Sequence, residues 1–256
     1  MAVSSSQEAH ILNWRDNSCM AFLCALIFAL FLPSTAAFAA PPLVAVDVGH
    51  GLKDSGAISA RGRSEFAFNR EFAGVLAGTL RQHELGVREV NFAGDIASLA
   101  DRPAAAAGSD FFIAIHHDSI SESYLRFWDW DGSEASYTEV KRGFGIFVSA
   151  QNPDLATSLR CASTMGAMLR RAGFVPSSWH SRRHLAADGE NGVWYYDNLV
   201  VLYRTSLPAV LFEAGVIKHR EEELELLDPE RQARMADALA TGIAACLFVT
   251  GKSARE

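Results

Sequence analysis

Three short apolar segments of the sequence each lead into a side chain that could take part in chemistry. The segments span residues 43–48, 111–115 and 209–212, and their apolar composition predicts buried strands. His50, His116 and Glu213 stand at or just beyond the carboxyl ends of these segments. In an open α/β sheet the carboxyl ends of parallel strands meet at one edge, where ligands bind. We therefore expect these three side chains to lie close together although they are distant in sequence.

Two imidazoles and a carboxylate at such an edge would suit a zinc ion. Zinc binds histidine nitrogen and carboxylate oxygen, and a catalytic site keeps one of its four positions for water. Glu65 begins the helix predicted after the His50 loop, so that loop can fold the carboxylate back over the edge. A bound metal would lower the pKa of that water, and Glu213 could move protons between the water and a leaving nitrogen. The residue types therefore favour a candidate zinc site made of His50, Glu65 and His116, with Glu213 beside it.

Each of these residues also has a purely structural interpretation. A histidine after a strand more often belongs to a turn or to the core, and a glutamate at a helix start could favour the helix dipole. Asp47 and Asp118 could orient the imidazoles or could be ordinary loop residues. His117 follows His116, but successive strand residues point to opposite faces, so only one of the pair should reach a metal. No His-Glu-x-x-His or Cys-x-x-Cys pattern decides the matter, and spacing alone leaves these alternatives open.

The rest of the chain supplies the elements that must position these side chains. Helical spacing and composition predict helices over residues 65–84, 97–107, 154–172 and 230–250. Further strands are expected over 87–92 and 145–149, whereas 200–203 fits either a strand or a short helix. Residues 119–142 and 176–198 are polar and aromatic without a clear period, and we interpret them as inserted loops. Strands alternating with helices predict a single α/β domain around a largely parallel sheet.

The amino-terminal region carries the pattern of an export signal. Residues 19–32 form a 14-residue apolar run, shorter than the roughly 20 residues that span a bilayer as a helix. Residues 37–39 (AFA) follow it with the small-residue spacing of a cleavage site. We therefore predict residues 1–39 as a cleaved signal peptide and 40–256 as the folded domain, in the periplasm or secreted. An uncleaved amino-terminal anchor is the alternative.

The charge of the chain argues against one class of partner, and its cysteines allow two states. The chain has 23 Lys and Arg against 30 Asp and Glu, a net charge of -7. This acidic balance argues against a nucleic-acid partner, which needs a positive surface to release counterions. Cys161 and Cys246 remain after removal of the signal. They could form a disulfide in an export compartment or stay as two buried thiols.

Four motifs, in order, carry a resemblance to a known family. The segment VAVDVGHGLKDSGAISARGRSEF (44–66) resembles the opening of the zinc-dependent N-acetylmuramoyl-L-alanine amidases, which cut bacterial peptidoglycan. That opening has a strand, an Asp-x-Gly-His-Gly turn, an Asp-x-Gly-Ala loop and a Glu that starts a helix. DFFIAIHHDS (110–119) is similar to the family's strand with a ligand histidine, and GFGIFVS (143–149) to the strand after that ligand. LYRTSLPAVLFEAGVIKH (202–219) is similar to the segment with the family's catalytic glutamate. The resemblance extends over about residues 43–248.

The resemblance implies a fold, a cofactor and a reaction. The implied fold is a mixed, mostly parallel six-stranded sheet flanked by helices on both faces. The implied site has one Zn2+ per chain held by His50, Glu65 and His116, with Glu213 assisting the water. The implied reaction cleaves the amide between the lactyl group of N-acetylmuramic acid and L-alanine of the stem peptide. Peptidoglycan is then the partner, with no nucleic acid and no membrane beyond the signal segment, and the need for a protein activator stays open.

Departures from the family pattern bear on the substrate rather than on the ligands. His117 replaces the usual small residue, Asp118 the usual Asn, and the residues after Glu213 differ from the common sequence. These differences leave a zinc peptidase or deacylase acting on another exported amide as the alternative function. Tryptophans 128 and 130 could stack on sugars or pack their loop onto the domain. Residues 179–184 (WHSRRH) could grip substrate carboxylates or serve a regulator.

Overall fold

A seven-stranded sheet with helices on both faces forms the body of the protein. The computed structural model describes residues 40–180 and 183–253, and the predicted signal peptide lies outside these ranges. The strands are β1 Leu43–Val48, β2 Gly86–Val90, β3 Phe111–Asp118, β4 Arg126–Trp130, β5 Ser133–Tyr137, β6 Gly145–Val148, β7 Ala186–Asp188, β8 Val193–Tyr195 and β9 Ala209–Val216. The helices are α1 Glu65–Gln82, α2 Asp101–Ala105, α3 Leu155–Arg171, α4 Val200–Tyr203, α5 Glu222–Leu226 and α6 Pro229–Ser253.

The sheet is mostly parallel, as predicted, but it has one strand more than the six expected. Its order is β2-β1-β3-β9-β6-β8-β7. β1 pairs in parallel with β2 and β3, β3 with β9, and β6 with β8, whereas β6 runs antiparallel to β9 and β7 to β8. β7 and β8 lie within residues 176–198, which we expected to be a loop. Each has only three residues, too few for a periodic pattern to reveal.

Residues 119–142 likewise contain regular structure where a loop was expected. β4 and β5 form an antiparallel hairpin closed at Asp131 and Gly132, which both have positive φ. Asp-Gly between two strands is a strong signal for such a turn and could have revealed the hairpin. The indole N–H of Trp128 donates to the Ala60 carbonyl oxygen at 3.2 Å, and the Trp128 ring stacks on Trp130. Trp128 therefore fastens the hairpin to the domain.

Alternating strand residues divide the core between the two faces of the sheet. Val44, Val46 and Val48 of β1 belong to the larger cluster, where α1, α3 and α6 pack. Ala45 faces the other side, in a smaller cluster that includes Leu202 of α4. Because these strands are buried on both faces, their sequences are continuous apolar runs. No helix within the described ranges is both long and apolar enough to cross a bilayer.

A disulfide joins the two long helices that pack on one face. Cys161 of α3 is bonded to Cys246 of α6, with their Cα atoms 5.2 Å apart and a sequence separation of 85 residues. Of the two states left open by the sequence, the structure therefore has the disulfide. Both cysteines are buried in the larger core cluster, so the bond crosslinks the interior and not a surface loop.

Replacing both cysteines with serine is expected to lower the free energy of unfolding by about 4 kcal/mol, because a long closed loop in the unfolded chain is released. Urea unfolding followed by circular dichroism measures the change. Reductant should bring the wild-type protein close to the stability of the double variant. A wild-type midpoint that reductant does not move would contradict a bond in the folded protein.

Candidate metal centre

Glycines at two turns allow His50, Glu65 and His116 to converge. A Cβ atom on Gly49 would stand 2.3 Å from the His116 ring, and one on Gly56 would stand 2.6 Å from Glu65 Oε2 and from the His50 ring. Gly56 also has a φ of +74°, a conformation that glycine adopts without steric cost. The two glycine-containing turns therefore clear the space in which the three side chains meet.

The carboxylate of Glu65 lies between the two imidazoles. Glu65 Oε2 is 3.1 Å from His50 Nε2, and Glu65 Oε1 is 3.0 Å from His116 Nδ1. One donor atom from each residue lies within 4.8 Å of the others, which is the only group of metal-ligand type found among the described residues. Two nitrogens and one oxygen are the donors that zinc takes in catalytic sites, so the residues present fit the ion.

Electrostatics keep this carboxylate charged. Burial would by itself raise the pKa of Glu65, but hydrogen bonds with His116 and His50 outweigh burial and hold that pKa below its ordinary value. Burial would by itself lower the pKa of His50, but Glu65 raises it. The centre thus presents an anionic oxygen beside two imidazoles, an arrangement that attracts a cation.

His117 points away from the centre, as the alternation of strand residues predicts. It is buried against the rings of Phe68 and Phe72, and its Nδ1 is 2.8 Å from Asn69 Oδ1. Burial lowers the pKa of His117 to about 3, so the imidazole is neutral at physiological pH. Asn69 Nδ2 also donates to Glu65 Oε1 at 3.3 Å. We did not predict a role for Asn69 from the sequence. Its position one helical turn after Glu65 nevertheless indicates that the two side chains can interact.

Arg102 holds the turn that carries His50. Its buried guanidinium donates to the carbonyl oxygens of Val48, at 2.7 Å, and of His50. Asp47 accepts from Arg102 at 3.4 Å and has no hydrogen bond to either imidazole, so it braces the turn without orienting a ligand directly. Burial raises the pKa of Asp47 to about 6, and Arg102 opposes that rise.

Replacing Arg102 with methionine is expected to lower the free energy of unfolding by about 3 kcal/mol, because Asp47 and two carbonyl oxygens lose a buried partner. The looser His50 turn should also weaken zinc binding. Chemical unfolding and a zinc titration with a competing chelator measure the two effects. Arg81→Met, on the exposed side of α1, is the matched control and should change neither. Wild-type zinc affinity in the Arg102 variant would contradict a positioning role.

Glu213 lies beside the centre but outside the cluster of three. In the pairing of β3 with β9 it is the register partner of His116. Its Oε2 is buried and has no hydrogen-bond partner among the described residues. Burial, and then the carboxylates of Asp118 and Glu65, raise the pKa of Glu213. The structure thus brings together the three predicted ligands, with a carboxyl group of high proton affinity next to them.

Fold and site together define an α/β protein with a candidate mononuclear metal centre at the carboxyl edge of its sheet. A family model described as N-acetylmuramoyl-L-alanine amidase matches residues 44–245. The chain belongs to this family.

Individual relatives agree with this assignment. The chain is 26% identical over 256 residues to the probable N-acetylmuramoyl-L-alanine amidase AmiB of Haemophilus influenzae. That match covers 89% of this chain but only 57% of the relative. The catalytic domain of CwlV, an amidase from Bacillus (Paenibacillus) polymyxa, is 26% identical with a TM-score of 0.62, over 81% of this chain and 99% of that one. The amidase Ami1 of Mycobacterium smegmatis shares the fold, with 19% identity and a TM-score of 0.65 over 82% and 98% of the two chains.

Proposed function

We propose that the protein is an exported zinc hydrolase that cleaves the amide between the lactyl group of N-acetylmuramic acid and L-alanine of peptidoglycan. The observation that carries this proposal is the cluster of His50, Glu65 and His116, in a chain that belongs to the amidase family. The disulfide between Cys161 and Cys246 supports the exported location, periplasmic or secreted, because such bonds persist in oxidising compartments.

The proposed roles follow from the positions of the side chains. His50, Glu65 and His116 would hold one zinc ion, which supplies a water of lowered pKa and polarises the substrate carbonyl. The Glu213 carboxylate would accept the proton of the attacking water and return it to the leaving amide nitrogen. Its raised pKa suits this second step, because a carboxyl group that holds its proton can donate it as the C–N bond breaks.

Digestion of purified sacculi followed by mass spectrometry tests the proposal. We expect release of free stem peptides that begin with L-alanine, leaving glycan strands with intact lactyl groups. Removal of zinc with a chelator should stop the release, and added zinc should restore it. Soluble fragments in which the peptide is still joined to the sugar would contradict amidase activity. Cleavage within the peptide, or loss of acetyl groups, would instead support the alternative of a zinc peptidase or deacylase.

A further inference from the structure

A cavity of about 750 Å3 opens beside Glu213, and its lining does not include His50 or His116. His50 and His116 line a second cavity, of about 430 Å3. The two cavities share one wall, formed by Asn198, Leu199 and Leu211. A substrate lying across the centre would therefore place one part in each cavity. The cavity beside Glu213 has the size typical of a ligand pocket.

The inner part of the cavity beside Glu213 contains polar atoms without partners. Asp118 Oδ2, His180 Nε2 and Glu213 Oε2 are buried and have no hydrogen bond within the described ranges. Asp118 Oδ2 and His180 Nε2 are 3.4 Å apart but not in hydrogen-bond geometry. Burial lowers the pKa of His180 to about 4, so its neutral ring forms no ion pair with Asp118 at physiological pH. Buried polar atoms are nearly always paired with protein or with a bound molecule, so three that lack protein partners at one cavity are available to polar groups of a bound molecule.

The cavity wall is shaped around His180. A Cβ atom on Gly145 would stand 2.7 Å from His180 Nε2. Any residue other than glycine at this strand position would therefore collide with the imidazole. Phe147 packs edge-on against the same ring, with centroids 4.8 Å apart. His180 is only 3% exposed. These contacts fix the orientation of the imidazole, so its unpaired nitrogen keeps a defined position in the cavity wall.

The exposed part of the cavity carries unpaired positive charge. Arg183 is exposed, its guanidinium lies 5.3 Å from the centre of the Trp179 ring, and it forms no ion pair with a carboxylate in the described structure. Asp197 also lines the cavity, but its carboxylate already accepts from the Ala150 N–H at 2.6 Å and the Ser149 hydroxyl at 3.2 Å. A guanidinium on an aromatic ring is well suited to bind a carboxylate.

We propose that this cavity binds the peptide on the nitrogen side of the scissile amide and recognises it as an acidic peptide. Arg183 binds a carboxylate of that peptide, and Asp118 and His180 form hydrogen bonds with its backbone amide groups. The assignment of sides rests on the proposed function, in which Glu213 returns a proton to the leaving nitrogen. Since Glu213 lines this cavity, the nitrogen and the peptide attached to it belong here, and the acyl part of the substrate belongs to the cavity beside His50.

Binding of two dipeptides to the full chain tests this proposal without requiring catalysis. The probes are L-alanyl-D-glutamate and L-alanyl-D-isoglutamine, which differ in one carboxylate replaced by its amide. In calorimetric titrations the wild-type protein is expected to bind the acid about fivefold more tightly, the size of a partly exposed ion pair. Arg183→Ala should remove this preference, whereas Arg171→Ala, an exposed arginine of α3 that does not line the cavity, should retain it.

A second variant tests the inner part of the cavity. His180→Phe keeps the ring packing on Phe147 but removes the unpaired nitrogen, and it should weaken both dipeptides by about the same factor, roughly fivefold. A preference that survives in Arg183→Ala, or a wild-type protein that does not distinguish the probes, would overturn the carboxylate site. Unchanged binding of both probes to His180→Phe would overturn the inner contact.

These outcomes separate the subsite from the proposed function. Arg183-dependent binding of the acidic dipeptide, in a protein that releases no peptide from sacculi, would refute the amidase function and keep the peptide site. Release of stem peptides by a protein without the binding preference would keep the amidase function and refute the site.

Discussion

Substituting glutamine for Glu65 is expected to abolish stable zinc binding and to slow amide cleavage by on the order of 10³-fold. The metal contributes several kcal/mol to the stabilisation of the transition state, and every 1.36 kcal/mol corresponds to a factor of about ten in rate. Glutamine keeps the size of the side chain but provides a neutral amide oxygen, a weak ligand for zinc. The variant also loses the charge that raises the pKa of His50 and that holds both imidazoles through hydrogen bonds.

Metal analysis after dialysis and the rate of peptide release measure these two effects. Wild-type protein should retain one zinc ion per chain, and Glu65→Gln should retain a small fraction of that amount. Glu84→Gln removes a charge from an exposed residue just beyond α1 and should behave as wild type. Glu65→Asp should fall between the two, since it keeps the charge but shortens the reach. A full zinc complement in Glu65→Gln would exclude Glu65 from the ligand set.

The convergence of the centre could be predicted from sequence because it follows from topology. β1 and β3 are parallel neighbours, so His50 and His116 had to emerge at the same edge once the two apolar segments were read as strands. The glutamate at the start of α1 was placed by the glycine-containing loop before it. These inferences need only strand direction and chain connectivity, which apolar patterning and turn residues encode locally.

Side-chain partners and very short elements could not be predicted in the same way. Arg102 braces the His50 turn from 52 residues away, and no local pattern indicates where a guanidinium will point. The pairing of Cys161 with Cys246 depends on how α3 and α6 pack, which spacing alone does not determine. β8 becomes a strand because β6 offers it an edge for hydrogen bonding, and β7 becomes one because it pairs with β8, and not because of their own composition. Tertiary context decides each of these features.

One departure expected from the sequence does, however, have a visible consequence in the structure. That departure is Asp118, and in the structure its carboxylate lies with Glu213 and His180 at one cavity. Burial raises the pKa of Asp118 to about 7, and its charge in turn raises the pKa of Glu213. A carboxylate two residues after a predicted ligand therefore adds to the proton affinity of the proposed catalytic base.

Glutamine in place of Glu213 is expected to lower kcat by about 10²- to 10⁴-fold, the usual contribution of a general acid–base group. Zinc content should stay at the wild-type level, because Glu213 lies outside the cluster of three donors. Peptide release from sacculi and metal analysis on the same preparation separate this loss of chemistry from the loss of metal expected for Glu65→Gln. Loss of zinc from Glu213→Gln would instead make Glu213 a ligand.

The pH profile gives an independent readout of the same group. Glu213 must be deprotonated to accept the proton of water, so activity should fall as pH drops through its raised pKa. Asp118→Asn removes a neighbouring negative charge, which makes the Glu213 carboxylate easier to ionise and lowers its pKa. The acid limb of kcat/KM should therefore move to lower pH in Asp118→Asn and should vanish from the residual activity of Glu213→Gln. An acid limb that stays in place in both variants would mean that another group controls it, and Glu213 would then lose its assignment as the base.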